Sequence, residues 1–290
     1  MSPMNRSENR GLRPVVRTFV AFWVLFPGLL FTVFAYGGEQ MIGTHVRTEQ
    51  TLAPLPDEIR AFRPGETLTY NVSWSRVLSA GTATIMVDTE QLPDGREVLR
   101  FVVRGRTRGL IDKVYPVNDT VQSVFDPQLM QSISYSLRES FGKKRRLRVT
   151  EFDHARKTAT CRLNEEPPEF LVIPDGIQDG LSLLFVLRTK DDLPIGRYMD
   201  IEVVDSCKKW TIEVAVLGRE KVLTAAGKFD TIKLRTHPKY QGVYQNKGVV
   251  FLWLTDDGRR VPVLMKSTLK VGSFVFELTD MQPGTSQFLQ

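Results

Sequence analysis

Apolar and polar residues alternate along much of this chain, most completely over residues 67–75. There Leu68, Tyr70, Val72 and Trp74 take every second position, and threonine, asparagine and serine fill the positions between them. Alternation with a period of two is typical of a β-strand that buries one face. The same pattern predicts four further strands, with the apolar rows Leu99, Phe101 and Val103; Ile133, Tyr135 and Leu137; Trp210, Ile212, Val214 and Val216; and Phe274, Phe276 and Leu278.

Turn-forming sequences lie between these rows. Pro93-Asp94-Gly95, Ala226-Gly227 and Asp257-Gly258 combine residues that favour tight turns. Short strands joined by such turns indicate an antiparallel sheet, a barrel or a sandwich. We therefore predict one mainly β domain over residues 65–282, which is long enough to bury a substantial core.

Two segments depart from the alternation and predict helices. Residues 108–115 favour a short helical turn that ends before Pro116. Residues 177–188 favour a better helix, since apolar residues recur there at helical spacing and Asp175 or Asp179 can cap its start. The stripe that we expect to pack on the sheet consists of Ile177, Leu181, Leu184, Phe185 and Arg188.

The N-terminal region has a third pattern. Residues 1–17 contain four arginines, and residues 18–36 form an uncharged apolar run. This order is typical of a signal sequence, which leaves the basic region in the cytoplasm and sends the rest of the chain to the periplasm. Cleavage after Gly37 and retention as a helix anchored in the inner membrane both stay open. Residues 38–64 are polar, contain three prolines and predict a linker.

The net charge does not indicate a nucleic-acid partner. Of the total of +6, residues 1–37 contribute +3, from four arginines and one glutamate, which leaves +3 for the remainder. A charge this small and dispersed is insufficient for binding to a phosphate backbone.

Cys161 and Cys207 are the two cysteines of the chain. An oxidising periplasm allows them to form a disulfide, which would add roughly 4 kcal/mol to stability through loop closure. Two buried free thiols are the alternative, and the sequence leaves both open.

The sequence contains no motif typical of a catalytic or metal site. His45, His154 and His237 lack metal-ligand spacing, and Gly180-Leu181-Ser182 lacks the second glycine of a nucleophile elbow. We therefore expect no cofactor, no metal and no enzymatic activity. Carboxylates that usually form turns or face solvent include Asp119, Asp126, Asp153 and Asp205.

One basic cluster stands out, at the predicted tip and exit of a hairpin. It consists of Lys143, Lys144, Arg145, Arg146 and Arg148, of which the residues at 144, 146 and 148 share one side. The cluster is either a solvated turn that protects a sheet edge or a contact for anionic lipid headgroups.

Aromatic residues in the predicted strands allow two interpretations. They either belong to the core or line a cavity for an acyl chain in a curved sheet. The residues concerned are Trp74, Trp210, Phe251, Trp253, Phe274 and Phe276.

Several sequence segments together resemble an uncharacterised family of exported Gram-negative proteins, the domain of unknown function 3108. The segments are residues 65–70, Val72 with Trp74, Ala80-Gly81, Gly227-Lys228-Phe229, residues 248–257, residues 259–263 and residues 271–273. The resemblance covers roughly residues 62–280. It implies a strongly curved antiparallel sheet, similar to the half-barrels of lipoprotein carriers, whose concave face wraps around a helix. The family has no established catalytic residues to carry over to this sequence.

Three hypotheses for function follow. The first is a non-catalytic envelope protein that binds a lipid or other amphiphile in the hollow of its sheet. The second is a structural or protein-interaction module of envelope assembly that recruits a partner strand at a sheet edge. The third, an envelope polymer hydrolase, requires a convergent pair of carboxylates.

Overall fold

The computed structural model describes residues 61–284 except 115, 246–247 and 269–271. These residues form one mainly β domain with two short helices, α1 (Gly109–Val114) and α2 (Ser182–Arg188). The strands of the first half are β1 (Thr67–Trp74), β2 (Leu78–Gln91), β3 (Glu97–Thr107), β4 (Asn118–Asp126), β5 (Gln131–Phe141), β6 (Lys144–Asp153), β7 (Thr158–Leu163) and β8 (Glu169–Val172). Those of the second half are β9 (Gln178–Asp179), β10 (Tyr198–Asp205), β11 (Lys208–Thr224), β12 (Gly227–Tyr240), β13 (Val243–Tyr244), β14 (Val250–Thr255), β15 (Pro262–Thr268) and β16 (Ser273–Gln282).

All sixteen strands belong to a single open sheet. Its order is β8-β7-β6-β5-β4-β3-β2-β1-β16-β15-β14-β12-β11-β10-β9, with β13 paired to β12. The pairs are antiparallel except for the short parallel pair of β9 and β10. The first and last long strands, β1 and β16, are therefore neighbours in the middle of the sheet.

The sheet curls until its second half reaches the inner face of its first half. Cys207, in the turn between β10 and β11, forms a disulfide with Cys161 of β7, and their Cα atoms are 5.7 Å apart. Ser206 accepts a hydrogen bond of 2.7 Å from Arg148 of β6. A single open sheet that curls in this way agrees with the predicted curved, open barrel-like architecture.

Helix α2 fills part of the hollow that this curl creates. All seven of its residues are buried, and the five from Leu183 to Leu187 are apolar, as expected for a helix inside a core. Phe185 stacks on Phe101 of β3 with a centroid distance of 3.5 Å, and Phe62 packs edge-on against Phe185 at 4.9 Å. The hollow at this end is therefore packed core.

The burial of the strands confirms the predicted rows except at Trp74 and Ile133, which are only partly buried. Residues 67–74 form β1, and Leu68, Tyr70 and Val72 are buried as predicted. In β5, a bulge skips Ile133 in the pairing with β4, so that Ser132 takes the inward position and Ile133 remains half-buried.

The longer predicted helix, residues 177–188, is wrong in its first five residues. Residues 177–181 do not extend the helix, because Gln178 and Asp179 form β9. The carboxylate of Asp179 accepts hydrogen bonds from the backbone N–H groups of Leu181 and Ser182 at 2.7 and 2.9 Å, which marks the true start of α2. The shorter helical turn is confirmed as α1.

The buried part of the chain begins before the predicted domain boundary. Ala61 and Phe62, placed in the linker by their sequence, are 3% and 4% exposed and belong to the core. The predicted basic region, apolar segment and most of the linker lie outside the described residues. Within the described part, neither helix is long and apolar enough to cross a membrane.

The long hairpin of β11 and β12 bends over the outer face of the sheet. A bulge between Val216 and Gly218 interrupts its pairing. Beyond the bulge, Glu220 accepts a hydrogen bond from the indole of Trp253, and Ala226 donates a backbone hydrogen bond of 3.3 Å to Leu278. The hairpin therefore covers apolar side chains on the outer face of β14 to β16.

Candidate functional site

The basic cluster of the sequence divides between the two faces of the sheet. Arg148 pairs with Leu137, which is buried and faces the hollow, so Arg148 faces inwards as well. Because side chains alternate along β6, Lys144 and Arg146 share this face, whereas Arg145 points outwards. The predicted common side of residues 144, 146 and 148 is thus the concave face.

Three carboxylates accompany these arginines on the inner face. Asp119 of β4 accepts a hydrogen bond of 2.8 Å from the backbone N–H of Ser140. Glu139 lies opposite Arg146 in the pairing of β5 and β6, with 3.7 Å between its Oε2 and Arg146 Nη1. Asp205 closes the end of β10 beside Ser206.

We call this set of residues the rim cluster: Asp119, Glu139, Arg146, Arg148 and Asp205. It draws on the last residues of β5 and the first of β6, and α2 packs near the opposite ends of these strands, where Ser182 contacts Ser132 at 2.7 Å. The rim cluster therefore lies at the end of the hollow away from α2, and the side chain of Arg146 is 36% exposed there.

Burial raises the pKa of two carboxyl groups in this cluster. Burial raises the pKa of Asp205 to about 7, although the charge of Arg148 acts in the opposite direction. Burial likewise raises the pKa of Asp119 to about 7, opposed by the Ser140 hydrogen bond and reinforced by Glu139. The pKa of Tyr135, which lies between these groups, is also raised by burial and by Asp205. Such shifts are concentrated at functional sites.

A family profile described as "Protein of unknown function (DUF3108)" matches residues 69–279. The chain belongs to this family. The match confirms the resemblance seen in the sequence motifs. No curated protein sequence matches this DUF3108 chain.

Solved structures with a similar fold include a β-barrel-like protein of the domain of unknown function DUF1849 from Brucella abortus. It is 10% identical with a TM-score of 0.53, and the match covers 78% of the DUF3108 chain and 100% of the other. A candidate lipoprotein from Parabacteroides distasonis has 10% identity, a TM-score of 0.32 and coverages of 76% and 97%. A candidate exported protein with a YmcC-like fold from Bacteroides fragilis has 11% identity, a TM-score of 0.29 and the same coverages. The Brucella structure supports the fold alone.

The six aromatic residues predicted to line a cavity do not share one face. Trp74 pairs with Phe274 on the inner face, where Phe276 and Trp210 also point. Leu252 of β14 points inwards, since it pairs with Met265 opposite Phe276. Its neighbours Phe251 and Trp253 therefore point outwards, and the six side chains cannot line a single space.

For three of the four aromatic residues that point inwards, burial shows that they belong to the core and do not line a cavity. Trp210, Phe274 and Phe276 are at most 5% exposed and belong to the continuous core. A cleft of about 450 Å³ lies on the outer face, between the tip of the β11–β12 hairpin and the loop after β1. None of the six aromatic residues lines that cleft.

The remaining polar residues singled out in the sequence have structural roles. Ser182 bonds to Ser132 and Gln178 at the start of α2. Asp126 pairs with Arg96 at 2.8 Å, and Asp153 with Arg156 at 2.7 Å. His154 Nε2 lies 2.6 Å from the carbonyl oxygen of Ser132, and His237 Nε2 lies 3.1 Å from that of Gln245. His45 lies outside the described residues.

Glu139 is the member of the rim cluster that the sequence analysis missed. A glutamate that precedes a basic hairpin by four residues has no motif of its own. Its position opposite Arg146 follows only once the turn at Gly142, with a φ of +54°, has set the register of the hairpin.

The raised pKa of Asp205 predicts that the free energy of unfolding depends on pH. Because the folded state holds the proton of Asp205 up to about pH 7, it binds more protons than the unfolded chain between about pH 4 and about pH 7. The free energy of unfolding should therefore fall as the pH rises through this window. Urea denaturation at pH 5 and pH 7.5 should show a smaller difference in D205N than in the wild type. D153N, which alters a more exposed carboxylate, is the control, and an unchanged difference in D205N would contradict the assignment.

Proposed function

We propose that this DUF3108 protein is an exported, non-catalytic envelope protein that binds the anionic head of an amphiphile at the rim cluster. The observation that carries the proposal is the inward direction of Arg146 and Arg148. Two guanidinium groups on the concave face of a sheet attract an anion, although Glu139 and Asp205 already balance part of their charge.

The arginines are available for such a ligand. Arg148 donates to the neutral hydroxyl of Ser206. Arg146 is 3.7 Å from its nearest carboxylate oxygen, too far for a hydrogen bond. A phosphate or carboxylate placed between them would gain charge-assisted hydrogen bonds from both.

Apolar surface on the same inner face can receive the other part of the amphiphile. Tyr240, which packs against Trp210 at the Asp205 end of β10, is only partly buried. Burial of this surface contributes about 25 cal/mol per Å². Because α2 fills the other end of the hollow, the apolar part of the ligand would lie near the opening and would not extend along the full length of the sheet.

Export is part of the same proposal. The disulfide between Cys161 and Cys207 is typical of a protein that folds in an oxidising compartment. The apolar run of residues 18–36 would deliver the chain there, either as a cleaved signal or as an inner-membrane anchor.

Arg145 and Arg146 are adjacent in β6 and point to opposite faces of the sheet, so substitutions at the two positions test whether the inner face binds the anion. R146Q should weaken binding of dihexanoyl phosphatidylglycerol about tenfold, because a charge-assisted contact is lost. R145Q removes the same charge from the outer face and should leave binding unchanged. Native mass spectrometry of the full-length protein in non-ionic detergent measures both as the fraction carrying one lipid. Equal losses in the two variants, or no lipid adduct in the wild type, would refute the proposal.

A second candidate function, recruitment of a partner strand, is favoured by the edge strand β8. Its outward side chains Phe170 and Val172 are 68% and 74% exposed. The bond from Ile173 N–H to Lys157 C=O sets the phase of the β7–β8 ladder, so the peptide groups of Phe170 and Val172 face the open edge. A crosslink from β8 to an envelope protein that disappears in F170P would distinguish this function, whereas persistence of the crosslink would count against it.

A further inference from the structure

The rim cluster contains two buried oxygen atoms that lack hydrogen-bond donors. Within the described part of the chain, no donor reaches Oε2 of Glu139 or Oδ2 of Asp205. Both residues are only 9% exposed. A buried carboxylate oxygen without a donor is unfavourable, and native proteins contain few of them. These two atoms therefore indicate a site for a donor that a ligand would supply.

The charges of the cluster describe that ligand further. Arg146 and Arg148 can bind an anionic acceptor, whereas Glu139 and the ionised form of Asp205, which predominates above about pH 7, favour a cationic donor and repel a second anion. A simple anion would satisfy only the arginines. A metal ion is a poor alternative, because the described residues include no group of three or more His, Cys, Asp or Glu side chains placed to hold one. Asp119 already accepts a hydrogen bond from the backbone of Ser140, and the two guanidinium groups together with the unpartnered carboxylate oxygens of Glu139 and Asp205 are complementary to a zwitterion.

We propose that the rim cluster recognises a phosphoethanolamine group. Arg146 and Arg148 bind the phosphate, and Glu139 and Asp205 accept hydrogen bonds from the ammonium. This inference rests on the proposed function, because it specifies the head of the amphiphile at the same site. The group has two sources in an envelope, the headgroup of a phospholipid and a phosphoethanolamine substituent on a surface glycan, and the experiment separates them.

The geometry also explains why the carboxylates come from separate parts of the chain. Glu139 lies at the end of β5, and Asp205 lies beside Cys207, which the disulfide fixes against the inner face of β7. The curl of the sheet is what brings the second carboxylate to the first. A ligand that bridges them would therefore contact both halves of the sheet.

The test compares three ligands that differ in the ammonium and in the chains. Full-length protein in non-ionic detergent is incubated with dihexanoyl phosphatidylethanolamine, with its N-acetyl derivative, which lacks the positive charge, or with free O-phosphoethanolamine. Native mass spectrometry then gives the fraction of protein that carries each one. We expect the ethanolamine lipid to bind about tenfold more tightly than its N-acetyl derivative, because the ammonium contacts are ionic hydrogen bonds.

Matched variants assign the preference to the cluster. E139Q should bind the ethanolamine lipid and its N-acetyl derivative equally, and D205N provides the same readout if E139Q does not fold. E151Q changes an exposed glutamate of β6 that points outwards and should keep the preference.

Each remaining outcome has a definite meaning. Equal binding of the ethanolamine lipid and its N-acetyl derivative by the wild type, with R146Q still weakening phosphatidylglycerol, would overturn the phosphoethanolamine inference and leave the proposed function intact. No binding of any lipid would overturn both. Binding of free O-phosphoethanolamine as tightly as the lipid would support recognition of the group and assign it to a carrier other than a phospholipid, which overturns the amphiphile part of the proposed function.

Discussion

Replacement of Glu66 by alanine should lower the free energy of unfolding by about 3–5 kcal/mol, because it leaves Arg188 buried without its counter-charge. The side chain of Arg188 has no exposed surface. Its guanidinium donates to both carboxylate oxygens of Glu66, at 2.6 and 2.9 Å, and to the carbonyl oxygen of Ala61 at 2.7 Å. Urea denaturation of the full-length protein measures the loss.

Two comparisons test the cause of this loss. D230A removes one partner of the exposed Lys221–Asp230 pair and should cost less than about 1 kcal/mol. The double variant E66L/R188M replaces both buried charges by apolar groups and should recover much of the stability, because neither charge remains unpaired. If E66A were no more costly than D230A, the buried pair would not have the role described here.

Loss of the disulfide should have a comparable effect. The double variant C161S/C207S opens a loop with a sequence separation of 46 residues, and the chain-entropy model predicts a loss of about 4 kcal/mol. Comparison of the urea midpoints of wild type and variant, with and without reductant, measures it. Reductant should lower the midpoint of the wild type and leave the variant unchanged. Identical midpoints for the oxidised wild type and the variant would show that the bond contributes nothing to stability.

Local sequence was sufficient to predict five of the sixteen strands but not the limits of the inner helix. Strands such as β1 and β16 bury one face, and this produces an alternation that can be read directly. Ile177 and Leu181 have spacing compatible with a helix, yet Gln178 and Asp179 pair with β10. Periodicity over so few residues does not separate the two structures, and the tertiary pairing decided the outcome.

The division of the aromatic residues between two faces could not be read from the sequence either. Trp253 is 7% exposed on the outer face because the bent β11–β12 hairpin covers it. A sequence pattern shows that a side chain is apolar, but it does not show which of two covered faces the side chain occupies. Only the bulge after Val216 and the resulting bend explain why both faces of β14 carry apolar residues.

The candidate site was predictable in its basic part alone. The hairpin at residues 143–148 is visible as a cluster of like charges, and its alternation places Arg146 and Arg148 together. That these arginines meet Asp205 depends on contacts between β6 and the turn after β10, such as the hydrogen bond of Arg148 to Ser206 across 58 residues of sequence. Long-range curvature leaves no local signal in the sequence.

The pairing of β1 with β16 has a consequence for the order in which this protein folds. Ser273 donates to the side chain of Ser75 across a separation of 198 residues, and similar contacts join β1 to β16 along their length. Because a chain is synthesised from its N-terminus, one edge of β1 stays unpaired until residues 273–282 have been made. The central pair of the sheet can therefore form only after β16 has been made. Pairing over so long a sequence separation is slow, and the unpaired edge of β1 is prone to aggregation in the meantime.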